Sequence, residues 1–190
     1  MERVFPRTFY TPNGADLSRF SATGRKRGTK LIYGWAGNPD DPVKGFREII
    51  VPACGERFEL IATGGVLDFR EIPEFYRKVD VFVVASQHEG DPATLFEAMA
   101  SGCFPVCVDV GIVPELIKHK ENGYIVRDRS IDAFREAFEW CDRNRDRVHA
   151  AGLANAELIA RERNSDISGQ IFGRVYKETL ARINHANVRQ

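Results

Sequence analysis

The sequence predicts an α/β fold, a parallel β-sheet flanked by helices and followed by a mostly helical final third. Three observations carry that expectation. Apolar, strand-like runs alternate with segments whose apolar residues recur at helical spacing, as in βαβ units. The runs "DVFVVAS" and "FPVCVDV" are apolar nearly throughout, as strands covered by helices on both faces are. From Ser130 onward strand signals stop and helical periodicity takes over.

The elements follow in chain order. "RTFYTPNG" reads as a short extended piece ending in a Pro-Asn-Gly turn. "TKLIYGWAGN" is a strand opening into a Gly-rich loop. "PVKGFREIIVPACG" reads as one helix, with Pro42 in its first turn, an apolar face of Phe46, Ile49, Ile50 and Ala53, and Pro52 ending or kinking it. "RFELIATGG" is the next strand, "EIPEFYRKV" a short helix and "DVFVVAS" a buried strand. "PATLFEAMASG" is a helix stopped by Gly102, "FPVCVDV" a strand, "VPELIKHKENG" a helix ending at Gly123, and "GYIVRD" a brief strand. Ser130 is placed to cap the next helix, on which Ala133, Phe134, Ala137, Phe138 and Cys141 share a face. "VHAAGLANAELIARER" and "DISGQIFGRVYKETLARINH" continue as helices.

Composition narrows the class. A chain of 190 residues with 43% hydrophobic and 28% charged residues suits one globular domain. Basic and acidic residues balance at 27 each, so a nucleic-acid partner is not expected. No apolar run approaches the ~18 residues of a membrane span, and "MERVFPRTFY" lacks the apolar stretch of a signal peptide. Cys54, Cys103, Cys107 and Cys141 form no C-x-x-C pair and read as reduced, buried thiols of a cytoplasmic protein. The histidines His88, His119, His149 and His185 make no metal-ligand spacing; the last three read as surface residues and His88 as a rim residue.

In a parallel α/β sheet, ligands bind beyond the carboxyl ends of the strands, here at the loops Gly34–Gly45, Thr63–Phe69, Ser86–Thr94 and Asp109–Pro114. The loop Glu89-Gly90-Asp91-Pro92 leads directly into a helix. The N–H groups of Ala93, Thr94 and Leu95 fall in its first turn, where no intrahelical acceptor exists, so the helix end suits a phosphate. Asp91 offers the alternative of a self-capped helix. Lys44, beside Gly45, is either a solvated surface charge or the cation that neutralises a diphosphate without a metal. Glu97 lies among Leu95, Phe96, Ala98, Met99 and Ala100 on a helix apolar nearly all round. A buried carboxylate needs partners, either nearby backbone groups or two vicinal hydroxyls such as those of a ribose. There is no G-x-G-x-x-G, no P-loop and no G-x-S-x-G elbow.

The segments "YTPNGADLSRF", "YGWAGNPDDPVKGF" and "VDVFVVASQHEGDPATLFEAMASGCFPVCVDVGIVPELIKHKENGYIV" together resemble the C-terminal domain of a family-4 retaining glycosyltransferase of the GT-B fold, the glycosyl transferase group 1 family. The resemblance runs from about Tyr10 to Val126, and the pair Glu89 and Glu97 matches the family's E-x7-E motif. It implies a Rossmann-like, three-layer donor-binding domain over 1–190, with an α/β core to about 129 and a helical tail from 130. It further implies that Lys44 and the backbone of Ala93–Leu95 hold the diphosphate of a UDP-, GDP- or ADP-sugar. Glu97 would take the ribose hydroxyls, Glu89 would contact the transferred sugar, and Gly90, Asp91 and Pro92 would sit close to it. Gly34 and Trp35 fall in the loop region that meets the donor, and the base would lie by Gly64–Phe69. No metal is obligatory. Transfer would proceed with retention by front-side displacement, with Glu89 no covalent nucleophile.

Three departures stand out. Where the family often has an arginine in its glycine loop, this chain has Trp35. The stretch between Lys44 and Asp80 is short for the family. The family's N-terminal domain, which binds a glycan or lipid-linked acceptor, does not precede this one in the sequence, so the chain is expected to be a piece of a longer enzyme, or else to work with a separate partner chain, and to be nearly inactive alone. That enzyme would be cytoplasmic and peripheral to the inner face of a membrane. The alternatives are a non-catalytic nucleotide-sugar-binding module and half of a sugar-nucleotide epimerase.

Overall fold

The computed structural model describes residues 9–26 and 28–187, with side chains through residue 181. Arg7 and Thr8 of the expected extended piece lie outside the described residues, as does the side chain of His185. Five strands form one sheet: β1 (Ile32–Trp35), β2 (Glu59–Ala62), β3 (Val81–Val84), β4 (Phe104–Val108) and β5 (Tyr124–Val126). Their order is β2-β1-β3-β4-β5, and every pairing is parallel. β3 and β4 are buried at every position, which is why their sequences do not alternate.

Alternate strand residues supply two apolar layers. Tyr33, Trp35, Val81, Val83, Val106 and Val108 face α1 (Val51–Cys54) and α5 (Ile131–Arg143). Phe82, Val84 and Cys107 face α2 (Ile72–Lys78), α3 (Ala93–Ala100) and α4 (Val113–Leu116). The result is a helix–sheet–helix, Rossmann-like α/β fold. The final helices are not an appendage to it. Phe134, Ala137, Phe138 and Cys141 of α5 are fully buried in the first layer, and the Tyr33 hydroxyl donates to the Phe138 carbonyl at 2.9 Å. α6 (Arg145–Glu162) places Val148 in the first layer and Ile159 in the second. α7 (Ser165–Asn187) follows. The Ser130 cap is present, its hydroxyl accepting from the Ala133 N–H. Gly102 ends α3 with two bonds, Gly102 N–H to the Met99 carbonyl and Cys103 N–H to the Ala98 carbonyl. All four cysteines are free and buried, and burial pushes the thiols of Cys54 and Cys103 up to about 12.

The structure corrects several local expectations. The expected helix from Pro42 is broken. A 3₁₀ turn, Pro42–Lys44, ends at left-handed Gly45, and a π-helical turn, Phe46–Ile50, then runs into α1. The i→i−5 register lies just before Pro52, which has no N–H to give an α-helical bond. α4 is one turn long: Ile117 turns extended and buries its side chain, and the left-handed residue is Lys120 rather than Gly123. The Pro-Asn-Gly segment forms no turn. It runs on to Ala15, which bridges Asn164 at the α6–α7 junction. His149 is not a surface residue. Only 9% of its side chain is exposed, and its Nδ1 lies 3.6 Å from Asp80, which also pairs with Arg25.

Candidate functional site

β1 and β3 are neighbours, yet the chain leaves them toward opposite faces. From β1 it passes to the α1 layer, and from β3 it passes to the α3 layer. The divergence opens a crevice beyond their carboxyl ends, the place where open parallel sheets bind ligands.

Lys44 and Glu89 meet across that crevice. Lys44 comes from the 3₁₀ turn after β1, which Asp41 caps by accepting from the Val43 N–H. Glu89 comes from the loop after β3. The Lys44 ammonium lies 2.5 Å from Glu89 Oε1, and the Ser86 hydroxyl donates to the same oxygen at 2.7 Å. Glu89 is mostly enclosed, while a third of Lys44 faces solvent. The ammonium therefore stays open to a ligand while its partner is fixed.

Gly90 and Pro92 complete the turn into α3. No side chain caps that helix. Asp91 does not self-cap it, because Asn13 holds Asp91 in place: the Asn13 N–H donates to Asp91 Oδ2 at 2.8 Å, and its side-chain amide donates to the Asp91 carbonyl at 3.0 Å. The first-turn amides of Ala93 and Thr94 are thus left for another acceptor, while the Leu95 N–H bonds the Pro92 carbonyl at 3.1 Å. The loop after β4 supports the turn from below. Gly111 adopts φ +57, and a Cβ there would lie 2.2 Å from the Gly90 carbonyl oxygen, so only glycine fits. The Ile112 N–H donates to that same carbonyl at 3.0 Å.

Glu97 lies about one turn along α3 from its start, half-buried among fully buried neighbours. Its partner is a side chain rather than backbone: the Tyr76 hydroxyl donates to Glu97 Oε2 at 3.1 Å. Burial holds the Glu97 carboxyl above its ordinary value, and the Tyr76 bond and the Arg19 charge oppose that shift. The Arg19 guanidinium lies over the Phe69 ring, 3.2 Å from its centroid, and so ties the loop after β2 to the Glu97 side of the crevice. Phe69 and Val66 of that loop are largely exposed.

Gly34 and Trp35 are less open. A Cβ at Gly34 would lie 2.2 Å from a Val79 methyl, so this glycine lets α2's end approach β1. The Trp35 indole is 3% exposed and stacks on Phe46 with ring centroids 4.2 Å apart. Its backbone lies nearer the crevice, accepting from the Thr63 N–H at 3.2 Å. Among the described residues no group of three or more His, Cys, Asp or Glu is placed to hold a metal. Sequence reasoning missed Asn13, Ser86, Tyr76 and Arg19. Ser86 had a signal in its place three residues before Glu89 at the end of a buried strand; the others are joined to the site only by tertiary contact.

Comparison with known proteins places this site in context. The profile described as "Glycosyl transferases group 1" matches residues 59–157. A GDP-mannose-dependent alpha-(1-6)-phosphatidylinositol monomannoside mannosyltransferase of Mycobacterium tuberculosis is 30% identical over 113 residues, 56% of this chain and 29% of that protein. The chain thus spans under a third of the length of this curated relative. Among solved structures, the C-terminal domain of a glycosyl transferase group 1 family protein (LpcC) from Francisella tularensis matches 78% of this chain and 98% of that one, with 22% identity and a TM-score of 0.64. The Anabaena protein Alr3699/HepE in complex with UDP-glucose matches 86% of this chain and 56% of that one, with 16% identity and a TM-score of 0.68.

Proposed function

Since the chain belongs to the group 1 glycosyl transferases, we propose that it forms the donor-binding domain of a retaining GT-B enzyme. The reaction moves a sugar from a nucleoside diphosphate to a glycan or lipid-linked acceptor. One observation carries the reading: Lys44, one-third exposed, pairs with Glu89 in the loop that leads into the uncapped start of α3, and Glu97 lies about one turn further along that helix. The cation and the helix terminus suit a diphosphate, and the carboxylates suit hydroxyl-rich groups. Two similar proteins, one a GDP-mannose-dependent mannosyltransferase and one solved in complex with UDP-glucose, support a nucleotide sugar as the donor class.

The chemistry follows from placement. The bond between the sugar's anomeric carbon and the diphosphate oxygen breaks. The acceptor hydroxyl oxygen bonds that carbon on the same face, and its proton passes to the departing diphosphate. Lys44 and the amides of Ala93 and Thr94 stabilise the charge that grows on the leaving group. Glu97 accepts from the ribose hydroxyls while one of its oxygens stays oriented by Tyr76. Glu89 acts on the sugar as a charged acceptor and not as a nucleophile. The acceptor binds to a further domain, so this chain alone binds donor and transfers little. Calorimetric titration with UDP, GDP and ADP tests the reading: one of them binds in the millimolar range or tighter, and a folded chain that binds none of them refutes it.

A further inference from the structure

Arg129 belongs to none of the groups above, yet it lies against the crevice. It comes from the segment between β5 and α5, one residue before the Ser130 cap. Its Nε donates to the Ala85 carbonyl at 2.7 Å, and its Nη2 reaches the Val43 carbonyl at 3.5 Å. Ala85 immediately precedes Ser86 at the head of the Glu89 loop, and Val43 immediately precedes Lys44. The Val43 carbonyl also accepts from the Gln87 N–H at 2.8 Å. Three strand-to-helix connections therefore meet on two carbonyls beside the Lys44–Glu89 pair. Gly45 makes this fit possible. It adopts φ +66, and a Cβ there would lie 2.6 Å from Arg129 Nη2 and 2.8 Å from the Ala85 carbonyl oxygen.

We infer that Arg129 is a positioning residue for the donor diphosphate: it holds the turn that carries Lys44 in register with the loop that carries Glu89. The inference rests on the donor-site reading above. An ammonium on a four-carbon stem has little orientation of its own, so its aim depends on the backbone beneath it. The planar guanidinium fork fixes two carbonyls from different loops at once, which a lysine's single ammonium does not reproduce.

The test uses the whole chain with Arg129→Lys and Arg129→Gln, each alone and combined with Lys44→Ala. Affinity for UDP, GDP and ADP is read by ligand-observed NMR, which follows millimolar binding, and folding by thermal unfolding. Either Arg129 variant is expected to weaken nucleoside diphosphate binding about tenfold, the size of a coupling within one hydrogen-bonded network. On the Lys44→Ala background the same change is expected to cost little, because Arg129 acts through Lys44. Full affinity in the single variants, or an equal loss on both backgrounds, overturns the inference and leaves the donor site standing. A wild-type chain that binds no nucleoside diphosphate overturns both. If Arg129→Gln does not fold, Arg129→Lys, which keeps the charge and one carbonyl bond, decides.

Discussion

Replacing Glu89 by Gln should tighten nucleoside diphosphate binding. The Lys44 ammonium lies 2.5 Å from Glu89 Oε1, so a diphosphate that engages Lys44 must share or displace that carboxylate. Two unit charges 4 Å apart near a protein surface attract by about 4 kcal/mol, whereas fully exposed pairs measure about 0.2–1 kcal/mol. Lys44 is one-third exposed and Glu89 mostly enclosed, which places the pair at about 1–2 kcal/mol. A diphosphate forfeits part of that attraction and also meets the Glu89 charge. Gln removes both penalties and keeps an oxygen for the Ser86 hydroxyl. The expected gain is about 1 kcal/mol, roughly fivefold in affinity. Lys44→Ala should do the opposite, weakening binding by about 1.5–3 kcal/mol. A nucleotide sugar should not share the gain from Glu89→Gln, because Glu89 is assigned to the sugar. Parallel calorimetry of both variants with a nucleoside diphosphate and its sugar reads all of this. If Glu89→Gln weakens nucleoside diphosphate binding as much as Lys44→Ala while the fold persists, Glu89 aims the ammonium instead of competing for it, and the reasoning fails.

Other expectations follow from neighbouring contacts. In the proposed reading Glu97 takes ribose hydroxyls as a carboxylate; burial raises its pKa, so nucleoside diphosphate affinity should hold above that raised value and fall as pH drops through it. Glu97→Gln should lose this component and leave only the ligand's own titration; identical pH profiles for the two proteins would remove the assignment. The same shift means ionised Glu97 costs stability as pH rises from its unfolded pKa through the folded one, a slope that Glu97→Gln should abolish in urea titrations. Gly34→Ala should destabilise by about 1–3 kcal/mol through collision with Val79, and adding Val79→Ala should recover part of it in thermal unfolding. Asn13→Ala should free the Asp91 turn and speed amide exchange at Leu95, whose N–H bonds the Pro92 carbonyl, by hydrogen-exchange mass spectrometry; unchanged exchange there would show that Asn13 does not hold the turn.

Much of the frame was legible because it depends on short-range pattern. The buried runs at β3 and β4, the Ser130 cap, the Gly102 stop, and the spacing of Glu89 from Glu97 are all written locally. What sequence reasoning missed was decided by distant partners. The apolar positions Phe46, Ile49, Ile50 and Ala53 keep helical spacing whether or not the chain breaks at Gly45, and the break answers to Arg129 and Ala85. Asp91 has the residue type of a helix cap, but Asn13, 78 positions earlier, takes its carboxylate. His149 looks solvent-facing on a polar helix until α6 lays it beside Asp80. Tyr76 gives no sign in its own segment that its hydroxyl ends at Glu97.

The strand order also sets a timetable. Lys44 and Glu89 touch across 45 positions of chain, and β1 cannot reach β3 until the excursion through β2 and α2 has been threaded. Every ladder in the sheet is parallel, so none can be zipped from a hairpin, and contacts of this range belong to slow-folding topologies. The crevice accordingly depends on contacts between parts of the chain far apart in sequence. A nascent chain has no such crevice until β3 is out and seated. The coupling runs the other way too. A ligand that bridges the two loops binds only molecules in which the β1–β3 seam is closed, so the proposed donor, at saturation, should act as a brake on unfolding at that seam. On the donor-site proposal, the half-life of the folded chain should then rise with nucleoside diphosphate concentration.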